Sequence, residues 1–160
     1  MATFPFAHRP KESYKERPRA FGAPRSNGTR KHAGCDLYAT PGTEVLAIED
    51  GTVVRGPYLF YDVVYAIEVQ HTSGLFRYGE ISHAPEGIKP GATVKAGQVI
   101  GFVGKMLSVP ASMLHLEMYT GKGSGPLTAR DHQPYLRRAD LVDPTAFLDA
   151  CTLFAPPATA

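Results

Sequence analysis

The chain predicts a mainly β fold: an antiparallel β-sheet with an irregular N-terminal arm and a short C-terminal helix. Three observations carry this. Side chains alternate with period two through "DVVYAIEVQHTSGLFRYGEIS" and again through "SMLHLEMYTG", the pattern of half-buried strands. Gly, Pro, Asn and Asp cluster between the short Val/Ile-rich runs. Helical cues are confined to "DPTAFLDACTLF", where Asp143 suits an N-cap and Pro144 the first helical position.

Taken in order, residues 1–20 are rich in Pro, Arg and Lys without periodicity, and read as an irregular basic arm, partly flexible and solvated. "FGAPRSNGTRKHAG" reads as loop. "EVLAIEDGTVVRG" reads as two β runs joined at the turn pair Asp50-Gly51. A second hairpin turns at Thr72-Ser73-Gly74, and "GATVKAGQVIGFVGK" places four glycines between short apolar segments. The runs 44–56, 63–70, 75–82, 99–103 and 112–119 are therefore expected to form the sheet. Residues 21–154 make one domain, and 155–160 a flexible end.

The 160 residues suffice for one core, and 43% hydrophobic with 20% charged residues is ordinary for a globular chain. No apolar run approaches the ~20 residues that span a bilayer, and the first residues lack an apolar core of signal-peptide length. Cys35 and Cys151 read as free thiols. Residues 1–31 hold eight Lys and Arg against Glu12 and Glu16, a balance of +6 within a net charge of +2. Such an arm attracts anionic surfaces, but no aromatic interleaving accompanies it, so nucleic acid is not an expected partner.

His32 and Asp36 lie four apart in "KHAGCDLYATPGTEVLA", a pair that means little alone. The strand "SMLHLEMY" adds to it. Leu114, Leu116 and Met118 share one face, and Met113, His115 and Glu117 the other. His32, Asp36 and His115 offer two imidazoles and a carboxylate, a set that suits catalytic zinc because a fourth position stays open. The competing reading is that His115 is a hydrogen-bonded, half-buried histidine.

"HAGCDLYATPGTEVLAIEDGTVV", "VKAGQVIGFVGK" and "MLHLEMY", in that order, resemble the lysostaphin/LytM-type zinc metallopeptidases that cut peptidoglycan peptides. The resemblance covers roughly residues 20–120. It implies a lysostaphin-like antiparallel fold and Zn2+ held by His32, Asp36 and His115. The chain departs from the family at two positions. Met113 stands where the family's strand has a first histidine, and Glu80 of "RYGEIS" where a catalytic histidine is usual.

The ligands thus stay while the base changes. Glu80 is chemically adequate as a general base, and a carboxylate base implies activity below the pH range of a histidine titrating near ~6.5. Tyr78, of the same strand parity, is expected to share the groove with Glu80 and to hydrogen-bond the oxyanion. Glu117 is expected to hold a ligating imidazole from behind. Arg25, Asn27 and Met113 are candidate substrate contacts, and His83 a lesser candidate for the base. Cys35, on an extended chain beside Asp36, points away from the metal. His71 reads as a turn residue, and His8 and His132 carry no signal.

The function implied is a zinc endopeptidase that hydrolyses peptide cross-links of bacterial peptidoglycan, with pentaglycine bridges an open alternative. The alternative function is a catalytically weak binding or regulatory module of the same fold. A carrier domain of lipoyl type leaves His32, Asp36 and His115 unexplained. Similar sequences among cell-wall enzymes of type VI secretion and phage-like machinery imply an antibacterial effector. Such an effector is a monomer made in the cytoplasm and acts in the periplasm or on the wall of a target cell. Its partners are the secretion machinery and an immunity protein.

Overall fold

In a computed structural model, which describes residues 2–156, the chain forms a small hairpin and one large antiparallel sheet. The hairpin pairs β1 (Pro24–Arg25) with β2 (Arg30–Lys31). The large sheet takes β3 (Cys35–Tyr38), β4 (Glu44–Leu46), β5 (Gly51–Tyr61), β6 (Val64–His71), β7 (Gly74–His83), β8 (Thr93–Val94), β9 (Val99–Val103), β10 (Met113–Tyr119) and β11 (Leu141–Val142). Its central order is β11-β10-β7-β6-β5-β8, with β3 beside β10 and β9 paired to both β4 and β7. A single helix, α1 (Thr145–Ala150), follows among the described residues.

The expected antiparallel sheet and short C-terminal helix are present, and local patterning explains most of the elements. The β6–β7 hairpin closes with His71 opposite Gly74, leaving Thr72-Ser73 as its two-residue loop. Along β10, Leu114 and Leu116 are fully buried in the main core, where they meet Cys35, Leu37, Ile67 and Tyr78. Met113, His115 and Glu117 occupy the other face, as the alternation predicts.

Several boundaries differ from expectation. Asp50-Gly51 does not close a hairpin: β4 pairs with β9, and β5 with β6 and β8. The stretch expected as loop before His32 contains β1 and β2, and "CDLY" is a strand because it completes the far edge of β10. Asp143 Oδ1 does accept from the Thr145 amide at 2.9 Å. Pro144, however, is the cap, and the helix stops at Ala150 because Thr152 returns to bridge Thr3.

The N-terminal arm lacks regular elements, and most of its charged residues are exposed, as expected, but its aromatic residues are not. Phe4 and Phe6 are fully buried in the main core. The Thr3 amide donates to Ile48 O at 2.8 Å, and Phe4 to Thr152 O at 2.7 Å. Each buried phenylalanine contributes about 1.5–3 kcal/mol, which offsets the cost of ordering the arm. Residues 157–160, within the end expected to be flexible, lie outside the described residues.

Candidate active site

Three segments meet over the outer face of β10. His32 lies just past β2, Asp36 is on β3, and His115 is directly opposite Asp36 in the β3–β10 register. A close approach makes this possible: a Cβ on Gly34 would collide with the Leu116 carbonyl, so only glycine lets the His32–Asp36 segment settle against β10.

All three side chains are buried. His32 Nε2 is 3.1 Å from Asp36 Oδ1 and 3.2 Å from His115 Nδ1, and His115 Nδ1 is 2.9 Å from Asp36 Oδ1. The outer nitrogens fix the tautomers. His32 Nδ1 donates to the Ala20 carbonyl at 3.0 Å, and His115 Nε2 donates to Glu117 Oε1 at 2.9 Å. In the neutral rings the facing nitrogens therefore carry lone pairs, and these converge with the Asp36 carboxylate.

Three converging donors at these separations suit a cation. The tetrahedral edge for bonds of about 2.0–2.2 Å is about 3.3–3.6 Å. Burial opposes charge on His115, but hydrogen bonds to Asp36 and Glu117 outweigh it and raise its pKa to about 9. Burial likewise works against the Asp36 carboxylate, yet His115 and His32 hold it down at about 2. His32, with burial dominant, titrates below its ordinary value.

Glu117 holds His115 from behind, as expected, and is itself clamped. Arg77 Nε donates to its Oε2 at 3.0 Å and Arg137 Nε to its Oε1 at 2.8 Å. Tyr119 adds a short hydrogen bond from its hydroxyl. Complete burial would raise the Glu117 pKa, but the two guanidiniums keep it well below the usual carboxylate range. This clamp was missed in the sequence. Its available signal was Arg77, a charge in the middle of an apolar strand, which demands a buried partner.

The site opens into a groove of about 710 Å³ lined by Arg25, Met113 and Glu80 together with the three donors. Glu80 reaches it through a bulge. Ala66 pairs with Gly79 and Tyr65 with Ile81, so Glu80 is the extra residue, held at φ 67°. Its carbonyl accepts from the Gly104 amide at 2.9 Å, and a side chain at position 104 would crowd that contact. A left-handed glutamate is strained. Its carboxylate is also unusual: Oε2 is buried without a hydrogen-bond partner among the described residues. Burial above all raises its pKa to about 7, so activity reaching below a histidine's range is no longer expected.

The same bulge corrects Tyr78. The tyrosine does not share the groove but is fully buried in the core, because the extra residue reverses the parity between positions 78 and 80. Its oxygen accepts from the Ile48 amide at 3.2 Å, and its hydroxyl donates to His71 Nε2 at 2.9 Å. His71, expected in a turn, is therefore a buried core partner. Asn27 is exposed at φ 56° in the β1–β2 turn, outside the groove lining. His83 is exposed, stacks on Phe102, and does not line the groove. Cys35 faces the core with its Sγ near Thr145 Oγ1. Arg25 does line the groove, its Nη2 3.5 Å from Asp36 Oδ2.

The model of peptidase family M23 matches residues 30–127, which contain all three donors and Glu80. The chain belongs to peptidase family M23. Over 108 residues, 68% of this chain, it is 33% identical to the glycyl-glycine endopeptidase ALE-1 of Staphylococcus capitis and 32% identical to lysostaphin of Staphylococcus simulans. The aligned part is 30% and 22% of those relatives' lengths, so the chain spans less than a third of either. The crystallised catalytic domain of S. simulans lysostaphin superposes with a TM-score of 0.62 at 25% identity, covering 81% of this chain and 89% of that domain.

Proposed function

We propose that this chain is a zinc-dependent endopeptidase that hydrolyses peptide cross-links of bacterial peptidoglycan, with Glu80 as its general base. One observation carries the reading most. In a family of peptidases, this chain brings a half-buried carboxylate, whose buried Oε2 has no hydrogen-bond partner among the described residues, into the same groove as three converging metal donors.

His32, Asp36 and His115 would hold the ion, and Glu117 with its two arginines would keep the His115 tautomer fixed. Held there, zinc would supply Lewis acidity toward a carbonyl and toward a water, whose pKa such sites lower to about 7. Glu80 takes the proton from the attacking water and passes it to the leaving amine. A pKa near 7 suits both halves of that transfer. With Tyr78 in the core, Arg25, whose Nη2 is 3.5 Å from Asp36 Oδ2, would offer the positive charge beside the metal donors for the carbonyl oxygen.

The test is digestion of isolated sacculi by the zinc-loaded protein, with products identified by mass spectrometry. Newly freed peptide amines on intact glycan strands are expected, and a chelator should abolish them. Cleaved glycan, or no product at all from zinc-loaded protein, overturns the reading. The second outcome restores the regulatory module. Delivery by secretion machinery to another cell's wall, with an immunity protein as counterpart, completes this proposal. Finding the protein only in its producer's cytoplasm would contradict that.

A further inference from the structure

The groove carries an arrangement that metal binding and proton transfer do not use. Four arginines line it: Arg25, Arg30, Arg130 and Arg137. They come from two touching segments, the β1–β2 hairpin and the loop before β11, joined where the Lys31 amide donates to Pro134 O at 2.9 Å. Two of the four are engaged, Arg25 near Asp36 and Arg137 on Glu117. Arg30 and Arg130 make no side-chain hydrogen bond or ion pair among the described residues. Arg30 is half-buried and Arg130 is exposed at the rim; the charge of Arg30 is opposed first by burial and then by Arg137 and Arg25.

Like charges held together at a groove wall are costly unless something neutralises them. The carboxylates of the lining, Asp36 and Glu80, are taken up by the metal donors and the proposed base. The remainder of the lining holds no further carboxylate: it is apolar apart from Tyr38, Tyr61 and Thr128. No carboxylate of the lining is left for Arg30 and Arg130, so an anionic group of a ligand in the groove would be their partner.

We infer that Arg30 and Arg130 form a carboxylate-binding subsite, so that the preferred substrate is a peptide bearing a free carboxylate on a residue flanking the scissile bond. This rests on the endopeptidase reading and adds to it a substrate class. A guanidinium fork matches a carboxylate in shape and charge. Amidating that carboxylate removes the charge and puts an N–H₂ donor against arginine donors. A neutral glycine bridge offers the subsite no side-chain anion.

The experiment uses binding, which does not depend on turnover. Zinc-loaded Glu80→Gln protein is titrated with two synthetic peptides that differ only in a free carboxylate or a carboxamide beside the scissile position. The carboxylate peptide is expected to bind about ten- to a hundredfold more tightly. Adding Arg30→Gln, or separately Arg130→Gln, should bring it down toward the amide. Far-ultraviolet circular dichroism and zinc content establish that each variant is folded, and the two variants replace each other if one is not. Equal binding of the two peptides, or a preference that survives both arginine substitutions, overturns the inference. Failure of the peptidase reading is seen elsewhere, in wild-type protein that cleaves neither peptide.

Discussion

Tyr78 and Glu80 are two residues apart on β7 and lie on opposite sides of the sheet, Tyr78 sealed in the core and Glu80 in the groove. The Tyr78 hydroxyl completes a buried chain from the Ile48 amide to His71, so it serves stability. Tyr78→Phe should cost about 1–3 kcal/mol in urea denaturation while leaving sacculus cleavage close to wild type. Glu80→Gln should do the reverse, lowering cleavage by about 10²–10⁴-fold with zinc retained. Equal loss of activity in both variants would contradict this division.

Glu80 also sets a pH dependence of stability. Its folded pKa of about 7 lies above the ordinary 4.5. Between these values the folded chain keeps a proton that the unfolded chain releases. Stability of the metal-free protein therefore falls as pH rises through that window, by up to about 3 kcal/mol. Glu80→Gln should remove the fall. Melting of metal-free wild type and variant at pH 5 and pH 8 checks it: the variant should gain on the wild type only at the higher pH.

Arg77 is almost wholly buried and pairs with Glu117, which in turn holds His115. Arg77→Met leaves a fully buried carboxylate with one guanidinium fewer. A loss of about 3–5 kcal/mol is expected, together with zinc affinity weakened about 10–100-fold. Denaturation and titration against a competing chelator measure the two separately. Unchanged affinity would show that the clamp serves only the fold.

Cys35 and Cys151 are buried, and burial above all raises both thiols to about 11. Neither should react with a disulfide reagent such as dithionitrobenzoate in the native protein at pH 8, and both should react once it is unfolded. Rapid native reaction at Cys35 would mean that the β3 edge opens.

The parts of this architecture legible in the sequence are those with a local signature. Alternation along β6, β7 and β10 located the strands and placed His115 and Glu117 on one face. The bulge at Glu80 was not legible, because a left-handed turn is usually marked by glycine and here a glutamate bears the strain. One such residue reversed the parity from which Tyr78 was assigned to the groove. The arm was misread for a different reason. Phe4 and Phe6 show no periodicity, and what orders them is a pairing of Thr3 with Thr152 at the far end of the chain. Arg30 was counted among the arm's solvated charges, and only the loop before β11 folding beside it reveals the cluster.

The central claim is that His32, Asp36 and His115 form one metal site, and metal content of purified His115→Ala protein beside wild type tests it most directly. Wild type should hold one zinc per chain, with X-ray absorption giving nitrogen and oxygen neighbours at about 2.0–2.2 Å. The variant, its β-sheet intact by circular dichroism, should hold none in stoichiometric amount. One zinc per chain in His115→Ala would contradict the account.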